Sequence, residues 1–209
     1  MELTKYEHAC FTIEKDGKLL IVDPGVYTND LQTPENVVVV VVTHEHADHF
    51  DPAALDAIIA HNPKAIIIAE KTITEKLSEL PTATVEPGDK YTVPPFMFEF
   101  FGGEHALIHS SMPVIGNLGV MINDTVYYPG DSFTLPNKPV DVLALPISAP
   151  WLKLGDTMDY LIAIKPRLAF PTHDALLSPI GKSLPDNMLP NLMKSFGGEY
   201  KRLIEPIEL

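Results

Sequence analysis

The chain has 209 residues, 45% of them hydrophobic and 21% charged, which suits one compact αβ domain over residues 1–209. Its formal net charge of -13 argues against broad nucleic-acid binding, because a strongly acidic surface repels phosphate backbones. One cysteine cannot form an internal disulfide and no apolar run is long enough to span a membrane, so we expect a cytoplasmic protein without membrane partners.

The first half of the chain alternates strand-like runs with turns and helices. Apolar, largely β-branched or aromatic runs bounded by turn residues predict strands at Ala9–Ile13, Lys18–Val22, Val37–Val42, Ala65–Ala69 and Phe96–Phe101. Asp51 and Pro52 suit an N-cap and a first helical position, so a helix is predicted from there to Ala60. A second helix is predicted over Thr72–Leu80, before a proline.

The second half predicts a hairpin, further strands and two helices. The hairpin strands are Gly119–Ile122 and Thr125–Tyr128, joined by an Asn-Asp turn. The remaining segments, in chain order, are strand Val140–Leu145, helix Thr157–Ile164 capped by Asp156, strand Arg167–Phe170, helix Asp186–Phe196 and strand Tyr200–Ile204. This order predicts an α+β fold, a four-layer αββα sandwich in which two packed sheets carry helices outside.

Four potential metal ligands follow directly on the predicted strand Val37–Val42. They are His44, His46, Asp48 and His49. Imidazole and carboxylate groups suit Zn²⁺ and related transition ions. Residues two apart in an extended segment point the same way, so the first two histidines can reach one ion, while the other pair faces a second ion after a turn. Glu45 should point away from both.

Five segments along the chain resemble the metallo-β-lactamase superfamily in content and order. They are Leu20–Gly25, His44–His49, Gly102–His105, Tyr128–Ser132 and Phe170–Asp174. Each segment is short, but their combination is specific and spans most of the chain. Within the superfamily the chain is most similar to the lactonase-like branch of small bacterial hydrolases.

The resemblance implies a centre that holds two divalent ions. The implied ligands are His44, His46 and His105 for the first ion, Asp48, His49 and His173 for the second, and Asp131 as the bridge. The later ligands follow predicted strand ends, where a rigid scaffold can hold them in place. Zinc is expected from the ligand types, with manganese or iron as alternatives.

Two residues close to the implied ligands, His109 and Asp23, are open to more than one role. His109 lies four residues after His105. We assign His105 as the ligand because it lies closer to the end of the predicted strand Phe96–Phe101, and His109 as a group that supports the site or touches substrate. Asp23 is expected to support the site or cap a turn instead of binding metal.

His8 and Trp151 have open roles. Relatives in the lactonase-like branch often carry a histidine just before the first strand, close to the metal cleft, and His8 resembles it. It is therefore a candidate catalytic residue beside Asp48 and Asp131, against a structural or surface role. Trp151, the only tryptophan, either walls the pocket or packs in the core.

Two ions about 3.5–4 Å apart can hold a hydroxide between them, which would attack a carbonyl or phosphoryl centre. We therefore expect a hydrolase acting on a small, anionic lactone, ester or phosphodiester, with self-association left open. A nuclease is the first alternative, although no basic RNA-binding arm is found. A redox di-iron protein, which usually carries glutamate where His46 stands, and a non-catalytic metal-binding protein are the others.

Overall fold

In a computed structural model that describes all 209 residues, the strands assemble into two seven-stranded sheets. The first sheet has the order β14-β1-β2-β3-β4-β5-β6. Its strands are β1 Glu2–Lys5, β2 Phe11–Lys15, β3 Lys18–Val22, β4 Val37–Val41, β5 Ile66–Ala69, β6 Thr82–Thr84 and β14 Ile207–Glu208. Strands β3 to β6 run parallel, which places the carboxyl ends of β3 and β4 side by side.

The second sheet has the order β13-β12-β11-β10-β9-β8-β7. Its strands are β7 Lys90–Val93, β8 Phe96–Glu104, β9 Gly116–Ile122, β10 Val126–Tyr128, β11 Val142–Pro146, β12 Leu168–Thr172 and β13 Glu199–Tyr200. Strand β9 is antiparallel to both β8 and β10, so these two run in the same direction. Because β10, β11 and β12 are parallel, the carboxyl ends of β8, β10 and β12 meet at one edge.

Alternating side chains divide the interior into three separate cores. In β4, Val39 and Val41 face the core between the sheets, whereas Val40 faces the helices outside. The helices are α1 Pro52–His61, α2 Lys71–Lys76, α3 Leu154–Ile164 and α4 Pro179–Lys194. The first two cover one sheet and the last two cover the other, which confirms the predicted αββα sandwich. No helix has both the length and the apolar character that crossing a membrane requires.

The helix starts show where local signals succeed and fail. Asp51 caps α1 as predicted, accepting a hydrogen bond from the Ala53 N–H at 3.0 Å. The prediction that Asp156 caps α3 is wrong, because the helix begins after Lys153 and Asp156 lies in its first turn. The start predicted for α4 at Asp186 is also wrong, since Ser178 caps this helix by accepting from Gly181 N–H.

Two further boundaries differ from the prediction for reasons of packing. Helix α4 runs through two internal prolines, and Pro185, Leu189 and Met193 are buried at a spacing of four residues. Their burial outweighs the proline penalty. The predicted strand Tyr200–Ile204 is wrong in its extent, because only Glu199 and Tyr200 pair with β12. The second helix is also shorter than the predicted Thr72–Leu80.

Candidate metal centre

Each predicted ligand follows a strand end at one edge of the two sheets. The segment His44–His49 comes directly after β4, with Val42 and Thr43 between them. His105, Asp131 and His173 come after β8, β10 and β12 of the second sheet. Because those strands share a direction, the structure brings all the predicted ligands together between the two sheets.

The ligands form two adjoining groups. One group contains His44, His46, His105 and Asp131, and the other contains His8, Asp48, His49 and His173. Within each group the potential ligand atoms all lie within 4.8 Å of one another. These dimensions suit one ion in each group.

Asp131 lies where the two groups meet. Its Oδ2 is 3.3 Å from His105 Nε2 and 3.0 Å from His173 Nε2, while its Oδ1 is 3.3 Å from His49 Nε2. The carboxylate thus contacts one histidine of the first group and two of the second. This is the position that a bridging ligand requires.

Several buried polar atoms at this point make no hydrogen bond of acceptable geometry, although some lie 3.3 Å from one another. They are the Nε2 atoms of His44, His49 and His105 and the Oδ1 of Asp131. A buried polar atom without a partner costs free energy, and native proteins rarely leave such atoms clustered. Lone pairs of nitrogen and oxygen converging on a buried volume fit divalent transition ions, so the residues present suit the metals that the sequence predicts.

The opposite ring nitrogens are held by hydrogen bonds. His49 Nδ1 donates to Asp23 Oδ2 at 2.7 Å, and His105 Nδ1 donates to the Ala106 carbonyl at 2.6 Å. His173 Nδ1 likewise donates to the Ser148 carbonyl. Since Nδ1 donates in each case, Nε2 is the nitrogen that faces the site, and a bound ion would replace any proton on it.

Asp23 supports the centre through hydrogen bonds, and its carboxylate also lies within 4.8 Å of ring nitrogens of His44 and His49. It is fully buried and accepts the Thr43 N–H at 2.8 Å and the Thr43 hydroxyl at 2.6 Å, in addition to His49. Thr43 Oγ1 in turn lies 3.1 Å from His44 Nδ1 and can accept its proton. Asp23 therefore orients two of the ligand rings through one carboxylate.

Carboxylates dominate the electrostatics of the centre. Burial lowers the pKa of His49, but Asp131 and Asp23 outweigh it and raise this pKa to about 10. Burial opposes a similar shift at His173, whose pKa is raised to about 9 by Asp131 and Asp48. The negative field that holds protons on these rings is the same field that attracts a divalent cation.

His8 contacts the centre through a carboxylate. Its Nε2 is 2.8 Å from Asp48 Oδ2, and its Nδ1 lies 3.3 Å from the Ala175 N–H. A backbone N–H can only donate, so Nδ1 accepts and Nε2 carries the proton that it donates to Asp48. In this arrangement His8 offers no free lone pair to an ion, and its catalytic role stays a prediction.

Three other residues separate clearly from the ligand set. His109 is exposed, pairs with the Ser111 hydroxyl at 2.7 Å and belongs to neither group, whereas His105 is buried within one. Glu45 points outward to an ion pair with Lys76, as alternation predicts. Trp151 donates its indole N–H to Asp131 Oδ2 at 3.0 Å, a contact that the sequence did not reveal because no periodicity marks this loop.

Comparisons with known proteins identify the family. The model of the beta-lactamase superfamily domain matches residues 2–173. The chain is 33% identical over 189 residues to Rv0786c of Mycobacterium tuberculosis, which covers 88% of this chain and 89% of that protein. It is 25% identical over 193 residues to a UPF0173 metal-dependent hydrolase of Carboxydothermus hydrogenoformans, covering 83% of this chain and 84% of that one.

A solved structure supports the same conclusion for the fold. The metallo-beta-lactamase fold protein YhfI from Bacillus subtilis superposes with a TM-score of 0.72 at 15% identity, covering 97% of this chain and 95% of that chain. The chain therefore belongs to the beta-lactamase superfamily, and the predicted superfamily and fold are confirmed. Its place in the lactonase-like branch stays a prediction.

Proposed function

We propose that this protein is a metal-dependent hydrolase that uses two divalent ions. The observation that carries the proposal is the set of partnerless buried atoms around Asp131, which includes ring nitrogens of His44, His49 and His105. The relative from Carboxydothermus hydrogenoformans is described as a metal-dependent hydrolase, which agrees with this assignment. Zinc is the proposed metal because the donors are imidazole and carboxylate groups.

The chain's own residues hold and orient the reacting groups. Divalent ions in such a centre polarise a carbonyl or phosphoryl oxygen and lower the pKa of a water molecule. Asp131 links the two groups of ligands, and Asp48 is held at 2.8 Å by the N–H of His8. His8 acts on the reaction through Asp48, and Asp23 fixes the ring of His49.

The proposed substrate is a small molecule with a lactone, ester or phosphodiester bond. The formal net charge of -13 disfavours long polyanions such as RNA. Divalent ions would themselves bind an anionic group directly, which favours a substrate that carries one. No serine or cysteine nucleophile is required by this scheme.

Metal content and hydrolysis together test the proposal. We expect protein purified without chelator to hold two divalent ions per chain by elemental analysis. The zinc and manganese forms should hydrolyse members of a panel of lactones, phosphodiesters and thioesters, and a chelator should remove the activity. One ion or none after loading with excess metal would contradict the two-ion centre, and a fully loaded protein inactive on the whole panel would contradict the hydrolase assignment.

A matched pair of histidine variants sharpens the metal count. His105→Ala removes a buried ring nitrogen of the first group, so zinc titration should show the loss of one tight site. His109→Ala removes an exposed ring outside both groups and should keep both sites. The opposite pattern would show that His109 is the ligand.

We expect no measurable binding of generic RNA or DNA at physiological salt. The reasons are the net charge of -13 and the lack of a run of lysine and arginine residues along the sequence. Fluorescence anisotropy with a labelled unstructured RNA is the measurement. Sub-micromolar binding would overturn this expectation and favour a nuclease instead.

A further inference from the structure

The loop between β11 and α3, residues 147–153, contributes no metal ligand but contacts two of them. The carbonyl of Ser148 accepts the Nδ1–H of His173. The indole Nε1–H of Trp151 donates to Asp131 Oδ2 at 3.0 Å. Both ligands belong to the second sheet, so this one loop fixes the orientation of two side chains at the point where the ligand groups meet.

The contact from Trp151 differs from the histidine contacts because the indole nitrogen keeps its proton and always donates. An indole N–H can only donate, cannot bind a metal and does not titrate in water. It approaches one oxygen of the carboxylate, Oδ2, while Oδ1 has no hydrogen-bond partner. The two oxygens of Asp131 are therefore made different before any ion binds.

The indole ring is held in place by aromatic contacts. Phe133 packs against it edge to face at 5.1 Å between ring centroids, and His105 lies at 6.2 Å. Phe133 also packs on Tyr160 of α3 at 4.9 Å, and the Tyr160 hydroxyl donates to the Thr134 carbonyl at 2.6 Å. The N–H is thus aimed at Asp131 from a rigid support, which is what orientation of a ligand requires.

We propose that Trp151 is a positioning residue that orients the carboxylate of Asp131 for metal binding through its indole N–H. The proposal rests on the function proposed above, because it takes Asp131 as a metal ligand. Its physical basis is that a donor to Oδ2 restricts rotation of the carboxylate and so fixes the directions of both of its oxygens. Partners of this kind commonly change metal affinity by about 10–100-fold.

Because the chain has a single tryptophan, growth with a tryptophan analogue changes only residue 151. Incorporating the benzothiophene analogue of tryptophan keeps the size of the ring and replaces the N–H with sulfur. Trp151→Phe removes the donor genetically, and Phe133→Leu is the control that disturbs the ring support without removing the donor. Zinc affinity is measured by competition with a chelating dye, and a thermal melt checks that each protein is folded.

The expected result is a loss of zinc affinity of roughly 10-fold or more in the analogue protein and in Trp151→Phe, with a smaller loss in Phe133→Leu. Zinc should also change the fluorescence of Trp151 in the unaltered protein, and Asp131→Asn should remove that change. Unaltered affinity in the analogue protein would overturn the proposal. Equal losses in Trp151→Phe and Phe133→Leu would do so as well, because packing would then explain both.

The same measurements separate this proposal from the one on which it rests. If Asp131→Asn binds zinc as tightly as the unaltered protein, Asp131 is no ligand and the proposed metal centre fails with it. If Asp131→Asn loses zinc while the analogue protein keeps it, the centre stands and the role of Trp151 is wrong.

Discussion

Asp131→Ala is expected to abolish hydrolysis and to weaken the binding of both ions. Asp131 contacts histidines of both ligand groups, with its oxygens 3.0–3.3 Å from the rings of His49, His105 and His173. The substitution removes a shared ligand. It also removes the negative charge that offsets repulsion between a cation and those rings. We expect the rate to fall by more than about 100-fold, the upper end for groups that only support a metal site. Activity and zinc titration are measured on the same sample.

The matched control is Glu45→Gln, which lies within the same ligand segment. Glu45 pairs with Lys76 on the outside, and an exposed ion pair contributes little to stability. Its activity and metal content should stay close to those of the unaltered protein. If Glu45→Gln were as inactive as Asp131→Ala, the prediction that Glu45 points away from the ions would be wrong.

Gly25→Ala is expected to destabilise the protein and to displace two ligands. A Cβ at Gly25 would lie 2.0 Å from the carbonyl oxygen of Asp48 and 2.5 Å from the backbone nitrogen of His49. Both contacts are with backbone, so no change of side-chain rotamer can relieve them. Overpacking of this kind costs about 1–3 kcal/mol or more. Denaturant unfolding gives the loss of stability, and zinc titration should show a weakened second site.

Gly155→Ala is the control for adding the same methyl group elsewhere. Gly155 lies in α3, and a Cβ there would meet nothing within 4 Å. Alanine is preferred over glycine within helices by roughly 0.5–1 kcal/mol, so stability should be unchanged or slightly raised. A Gly25→Ala protein as stable and as metal-rich as Gly155→Ala would mean that the loop yields without disturbing the ligands.

Much of the fold could be predicted because strong local signals agree with it. The valine run of β4 is buried on both faces, and Asp51 with Pro52 starts α1. Weak or conflicting signals explain the failures. Strands β1, β6, β7 and β14 are short and depend on pairing with neighbours, which a single sequence does not show. Helix α4 begins at the cap Ser178, but the internal prolines obscured that start.

The residues of the candidate metal centre could be predicted from the sequence for a different reason. Three histidines and an aspartate within six residues after a buried strand are typical of a metal site, so His44–His49 indicated the chemistry directly. The groups that orient them were less accessible. Asp23 was expected to support the site, but its pairing with Thr43 and His49 depends on how β3 and β4 end side by side. The contact of Trp151 depends on the path of one irregular loop.

The division of the ligands between the two sheets has a consequence for folding. His44–His49 extends from the first sheet, whereas His105, Asp131 and His173 extend from the second. Neither sheet alone can form either four-residue group, so ions bound there would stabilise the packed pair of sheets by mass action. At a free metal concentration of one hundred times Kd, each ion adds about 2.7 kcal/mol. Bound ions would therefore add stability at the edge of the sandwich where the residues of both sheets meet.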